Sequence, residues 1–197
     1  RYSSAASDVY KRQDMNTSSI GSINFSSLRG VAYNGEFFAL GETDNKNIYI
    51  WKGIPGLNDE PDYIIQNPVG VGRIDMNDEW LVVSAYPGAG SPVHVINLTN
   101  LDSGIMLPVP GNDDFPQGVS INEKGFFIAL QGSNKVVGWS SVQDALNGSS
   151  PTMSFGGTTN KTNSGTKMAS TVHWDGFHLW VGEFKFSNRL LGFAPSK

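Results

Sequence analysis

Four segments of the chain follow one plan, and that repetition limits the fold more than any other feature. They are RGVAYNGEFFALGETDNKNIYIWKGIP from Arg29, GRIDMNDEWLVVSAYPGAGSPVHVINL from Gly72, QGVSINEKGFFIALQGSNKVVGWSSV from Gln117 and STVHWDGFHLWVGEFKFSNRLLGFAP from Ser170. Each reads as a short β-branched strand, a polar turn, an aromatic-rich strand, a loop and a further apolar strand. Asn34-Gly35, Asn77-Asp78, Glu123-Lys124-Gly125 and Asp175-Gly176 supply the turns, since Gly and Asn tolerate the positive φ of tight hairpins. The first-strand anchors Val31, Ile74, Val119 and Val172 precede the third-strand anchors Ile48, Val93, Val136 and Leu190 by 17, 19, 17 and 18 residues. Three residues past each third-strand anchor stands a large apolar side chain: Trp51, Ile96, Trp139 and Phe193.

Fourth strands follow at 61–65 and 151–155, with Ile105-Met106-Leu107 in that part in the second unit. Four strands in every 40–50 residues or so is the spacing of propeller blades. A sandwich also has many short strands, but it does not repeat a large apolar residue at one offset in unit after unit. The expected class is all-β, a β-propeller with four four-stranded blades at about 29–66, 71–108, 117–156 and 170–197.

Composition narrows the functional classes. The 197 residues suffice for a sizeable core. Charged residues make up only 16% and the net charge is −4, which opposes a phosphate-binding surface and so a nucleic-acid partner. No apolar run approaches a membrane span. With no cysteine there are no disulfides, thiolate metal sites or cysteine nucleophiles, a composition that suits cytosolic and exported bacterial proteins alike. N-x-S/T patterns occur at Asn16, Asn24, Asn97, Asn147 and Asn160, as chance supplies in a chain this rich in Asn, Ser and Thr.

GVAYNGEFFALGETDN together with IYIWKGIPGLNDEPDYIIQ resembles the NHL-repeat six-bladed propellers, over residues 20–197. In that family a blade carries an acidic residue after strand two and Asn-Arg before strand three. Asn188-Arg189-Leu190 matches, Asn134-Lys135-Val136 is a close variant, and Glu42 and Glu183 take the acidic place with Gln131 as a neutral stand-in. The first unit departs with Lys46-Asn47, and the second with Tyr86-Pro87-Gly88 and Ser91-Pro92. The resemblance implies a six-bladed ring of which four blades are in view, and open blade faces would then invite self-association. Residues 3–13, SSAASDVYKRQ, have no apolar period and resemble a translated sequencing adapter, so 1–13 are expected to be artefact or disordered tail. Residues 14–28, with Ile20, Ile23 and Phe25, are expected to be a linker or the end of a preceding blade, and 29–197 the partial propeller.

In propellers, ligands meet the mouth of the central channel. The first-strand starts hold Arg29, Arg73, Gln117 and Ser170, with Asp75 and His173 a little further in. Two Arg could fork a carboxylate or sugar acid, or these side chains could pair with neighbouring blades. His173 and His178 flank the turn and could face each other; with Asp175 or Glu183 they are weak candidates for a zinc or other divalent site. His94 reads as a packed or edge histidine. Glu42 and Glu183 recur at one place, which argues for scaffold over general acid–base work. Trp51, Trp80, Trp139, Trp180 and Phe193 read as inter-blade core, and Trp174 as the exposed aromatic of a turn. The polar loop 156–165 is either flexible or functional. It lacks the Lys-Ser/Thr ending of a phosphate loop, and no Gly-x-Ser-x-Gly element occurs in the chain.

Two readings follow. The first is a non-catalytic NHL-like propeller that binds a small molecule, glycan or protein, without cofactor, in a setting that leans to the extracytoplasmic. Its site is Arg29, Arg73, Asp75, Gln117, Ser170, His173 and Trp174. The second is a lactonase- or lyase-like propeller enzyme with a divalent cation at the channel, which needs several oxygens converging on the axis. Arg, Arg, Gln and Ser at the mouth favour the first.

Overall fold

Short runs of β-branched and aromatic residues, each closed by an Asn, Asp or Gly turn, pair with their nearest neighbours in sequence. The computed structural model describes residues 19–20, 23–86, 92–109, 115–157, 165–184 and 189–194. A short hairpin, β1 (Ser19–Ile20) and β2 (Ile23–Asn24), comes first. The first blade is β3 (Leu28–Tyr33), β4 (Phe37–Glu42), β5 (Asn47–Lys52) and β6 (Tyr63–Gln66). The second is β7 (Val71–Met76), β8 (Trp80–Ala85), β9 (Val93–Asn97) and β10 (Asn100–Leu107). The third is β11 (Pro116–Asn122), β12 (Gly125–Leu130), β13 (Lys135–Trp139) and β14 (Met153–Gly156), with helix α1 (Val142–Leu146) before its last strand. The fourth has β15 (Ala169–Trp174), β16 (Leu179–Glu183) and β17 (Leu190–Phe193). Every sheet is an antiparallel meander in chain order. The protein is thus an all-β, four-blade β-propeller in which, among the described residues, three blades have four strands and the last has three.

The apolar core lies in seams between blades, because each sheet has two apolar faces to cover. Ala32, Ile48 and Ile50 of the first blade meet Ile74, Leu81 and Ile96 of the second. Val82 and Val95 meet Phe126 and Trp139, and Phe127 and Val136 meet Val172 and Leu179. Each large side chain so buried contributes roughly 1.5–3 kcal/mol. The recurring Trp51, Ile96, Trp139 and Phe193 all stand on the face turned toward the preceding seam, as their spacing implies. Trp51 is 2% exposed, and Ile23 and Phe25 cover its side of the first blade, Phe25 edge-on to Tyr49 at 5.2 Å.

Glycine sets how closely the inner strands approach. A Cβ on Gly118 would stand 2.9 Å from the backbone of Ser170 and Thr171. In the first seam a Cβ on Gly30 would meet Ile74 at the same 2.9 Å. No helix among the described residues is long and apolar enough to cross a membrane.

Candidate functional site

The four inner strands, β3, β7, β11 and β15, have two unlike ends. Each begins with a β-bulge at the same place. The ladder skips between Leu28 and Gly30, Pro116 and Gly118, and Ala169 and Thr171, so Arg29, Gln117 and Ser170 are the extra residues. In β7 the skip lies between Val71 and Ile74, and Gly72 with Arg73 stands opposite Ser84 alone. Bulges re-aim side chains, and all four lie at one place in the repeat, so Arg29, two residues before Val31, is equivalent to Gly72, two before Ile74, and Arg73 falls one position later. Arg29 and Arg73 therefore do not make a matched pair.

Both guanidinium groups contact neighbours. Arg29 lies over the Tyr86 ring, 3.6 Å from its centroid, and Arg73 Nη1 donates to the Arg29 carbonyl at 3.1 Å. Ser84 Oγ accepts from Arg73 N–H at 2.7 Å and donates to the Gln117 carbonyl at 3.0 Å. Thr43 Oγ1 donates to Val71 O at 2.7 Å. The carboxylates at the ends of β4 and β16 belong to the same architecture. Glu42 is fully buried and accepts from Ser26 N–H and Tyr49 OH at 2.8 Å and from Asn45 Nδ2 at 3.0 Å. Burial works against its charge, yet these bonds outweigh it and hold the carboxyl below the ordinary Glu range. Glu183 accepts from Lys167 N–H at 2.6 Å and from Arg189 Nε at 2.7 Å. The equivalent residue in the third blade is Leu130, not Gln131, because Pro116 pairs with Leu130 as Leu28 pairs with Glu42.

At the other end each hairpin answers backbone N–H groups of its own, and Asn34 Nδ2 also donates to the Asn77 carbonyl of the next turn at 2.8 Å. Asn34 Oδ1 accepts from the N–H of Glu36 at 3.0 Å and of Phe37 at 2.8 Å. Asn77 does the same for Glu79 and Trp80, Asp175 for Phe177 and His178, and Asn122 accepts from Lys124 N–H. Asp175 also accepts from Trp180 Nε1 at 2.7 Å, and these bonds, that of Trp180 foremost, hold its carboxyl far below the usual range. All four turns, the first through Asn34, contribute to an open cavity of about 730 Å³, flanked by Ser140 and Ser141 and the first residues of α1, Val142 and Gln143. Trp80 and Trp174 line it, and Asp78, Glu79, Glu123 and Asp175 stand against the single ammonium of Lys124.

Between the two ends lies one more repeated position, occupied by Ala32, Asp75, Ser120 and His173. Asp75 Oδ2 accepts from Ile121 N–H of the next blade at 2.9 Å, and Oδ1 from Met76 N–H at 3.0 Å. Ser120 Oγ accepts from Trp174 N–H at 3.2 Å, again across a seam. Burial pushes the Asp75 carboxyl up, against its hydrogen bonds and the nearby His173. Asp75 and Ser120 act as staples between blades.

The sequence-selected residues are therefore divided between two places. Arg29, Arg73, Gln117 and Ser170 sit at the bulged ends, while Trp174 lines the cavity and Asp75 and His173 lie one residue short of cavity-lining Met76 and Trp174. A six-residue strand separates the ends by roughly 15–20 Å. Trp174 is not in a turn. It is the last residue of β15, paired with Leu179 and stacked on Phe127 at 5.9 Å. His173 pairs with Trp180, so it does not face His178, whose Nδ1 lies 3.7 Å from Asp175 Oδ2. No group of three or more His, Asp or Glu suited to a metal occurs among the described residues. His94 is buried, its Nδ1 2.7 Å from Asn67 Oδ1. Trp80 packs against the core between the second and third blades and also lines the cavity, whereas Trp180 stands at the turn with its Nε1 on Asp175. Asn188, residues 87–91 and most of the 156–165 loop lie outside the described residues. Sequence reasoning placed Asp78, Glu123 and Lys124 in turns and passed over Glu79, and took none of the four as a site residue.

No protein-family model matches the chain, and no curated protein does. Solved structures share its fold. The computationally designed Ika4 protein is similar with a TM-score of 0.59 at 10% identity, over 89% of this chain and 96% of that one. A chain of a nidogen/laminin complex is similar with a TM-score of 0.64 at 12% identity, over 86% of this chain and 60% of that one. The β-propeller domain of Cps50 (Swd1) from Myceliophteria thermophila gives 0.57 at 11% identity, over 79% of this chain and 49% of that one. The chain thus spans less than two thirds of the latter two. At these identities the likeness establishes the β-propeller fold and assigns no residue a role.

Proposed function

We propose that the protein is a non-catalytic, NHL-like propeller that works as a binding or interaction module, with its site at the hairpin-turn end of the inner strands. The observation that carries this is the cavity of about 730 Å³, to which the turns of all four blades contribute. Its size lies within the range of ligand sites, roughly 300–1,000 Å³. Because Asn34, Asn77, Asn122 and Asp175 answer the backbone of the turns, the charged side chains beside them are left to meet a partner. The bulged ends, where Arg29 and Arg73 stand, hold neighbouring blades together instead.

The metal-dependent lactonase- or lyase-like alternative needs carboxylates converging on the channel. Asp75 is the single carboxylate on the four inner strands, and both its oxygens already accept backbone N–H groups. That arrangement supports the binding reading. A peptide array and a glycan array probed with the wild type and with Ser140→Trp provide the test. Ser140 is exposed at the cavity edge, so an indole there blocks entry whatever the ligand's charge. Saturable binding lost in Ser140→Trp is expected. Binding that survives Ser140→Trp but disappears in Arg29→Ala/Arg73→Ala would move the site to the other end, and turnover of a probe would overturn the non-catalytic reading.

A further inference from the structure

The cavity has a chemical character of its own. Four carboxylates and one ammonium line it. Among the described residues the ion pairs are those of Asp175 with His178 and Glu183 with Arg189, so Asp78, Glu79 and Glu123 stand exposed without a cation. A fixed excess of negative charge repels anions and concentrates cations. Two indoles, Trp80 and Trp174, share the wall, and an ammonium or guanidinium over an indole face is attracted by the ring quadrupole.

On the binding reading of this cavity, we propose that its occupant is a cationic peptide segment, with Lys or Arg side chains set against the carboxylates and indoles. The long alkyl stems of Lys or Arg pack on the aromatic walls. A sugar acid or phosphate meets the wrong charge. A neutral sugar can stack on the indoles but leaves three carboxylates without a counter-charge. The cavity thus selects the opposite ligand class from the one that Arg29 and Arg73 suggest.

Isothermal titration with acetylated tetra-arginine, tetra-lysine, tetraglutamate and cellotetraose, at low and physiological salt, tests this. Tetra-arginine and tetra-lysine are expected to bind one per chain, more weakly at higher salt. Glu79→Gln/Glu123→Gln is expected to weaken them about tenfold or more. Asp44→Asn/Asp102→Asn makes the same change in net charge at exposed positions that do not line the cavity, and is expected to leave affinity within about twofold. Equal weakening by both pairs would reduce the effect to net charge and overturn the proposal. So would the absence of saturable cation binding. Cellotetraose or tetraglutamate binding that Ser140→Trp abolishes, without cationic binding, would leave the binding module standing and remove the cationic peptide.

Discussion

The two ends of the inner strands are made from the same repeat and do different work. At the bulged end, an extra residue frees carbonyls from the ladder, and neighbouring side chains answer them: Arg73 on Arg29 O, Ser84 on Gln117 O, Thr43 on Val71 O. At the turn end, Asn34, Asn77, Asn122 and Asp175 close their own hairpins, Asn34 also reaching the Asn77 carbonyl, and the charged side chains beside them take no part. The difference teaches where a repeat protein can place a binding site. Polar side chains that satisfy a structural need elsewhere are committed, however ligand-like their chemistry looks. Those beside turns whose backbone other residues already answer are available.

The strongest attack on this contrast is Glu42→Ala, which strips the acceptor from Ser26, Asn45 and Tyr49 together and should cost about 3–5 kcal/mol in urea denaturation. Gly118→Val should cost about 1–3 kcal/mol, because the new side chain meets backbone across the third seam. Asp75→Ala should cost about 1–3 kcal/mol by leaving the Ile121 N–H unanswered. Glu123→Ala, at the turn end, should stay within about 0.5 kcal/mol of wild type. If Glu123→Ala destabilises as much as Glu42→Ala, the two ends do not differ in the way described.

Acid titration sharpens the contrast further. The Glu42 carboxyl lies below its ordinary value of 4.5, so its stabilisation is present above that pH and is lost as pH falls through the folded value. Asp75, raised by burial above 3.8, has the opposite sign: its contribution is full below that pH and is lost as pH rises through the folded value. Melting curves should therefore show a cost of Asp75→Asn that shrinks as pH rises and a cost of Glu42→Gln that grows. The smallest effect belongs to His94, which burial holds neutral below its ordinary 6.5. Stability should decline modestly as pH falls below about 6.5, and His94→Gln should flatten that part of the curve.

Much of the fold could be read from local pattern. Trp51, Ile96, Trp139 and Phe193 share an offset in sequence and share a face in space, because a strand's side-chain period of two is rigid. Trp174 shows where such reading slips. Beside Asp175-Gly176 it looks like part of the turn, but the side chain capping the turn is Asp175, so the strand runs one residue further than composition suggests. For Arg29 and Arg73 the offset was already in the sequence, two residues before Val31 and one before Ile74, but the neighbours they reach, the Tyr86 ring and the Arg29 carbonyl, lie a blade away and leave no local mark. The cavity was least legible, since its walls come from four turns and α1, spread from Asn34 to Gly176.

Sequence by itself determined the strands, their order and the apolar layers, because periodicity and turn chemistry act over a few residues and repeat four times. Tertiary structure alone decided which end of the inner strands is open. That outcome depends on contacts between residues a whole blade apart, such as Arg73 with Arg29 and Asp75 with Ile121, 44 and 46 positions away. Hydrogen-bond partners at that distance are set by how blades pack, and no local propensity encodes them.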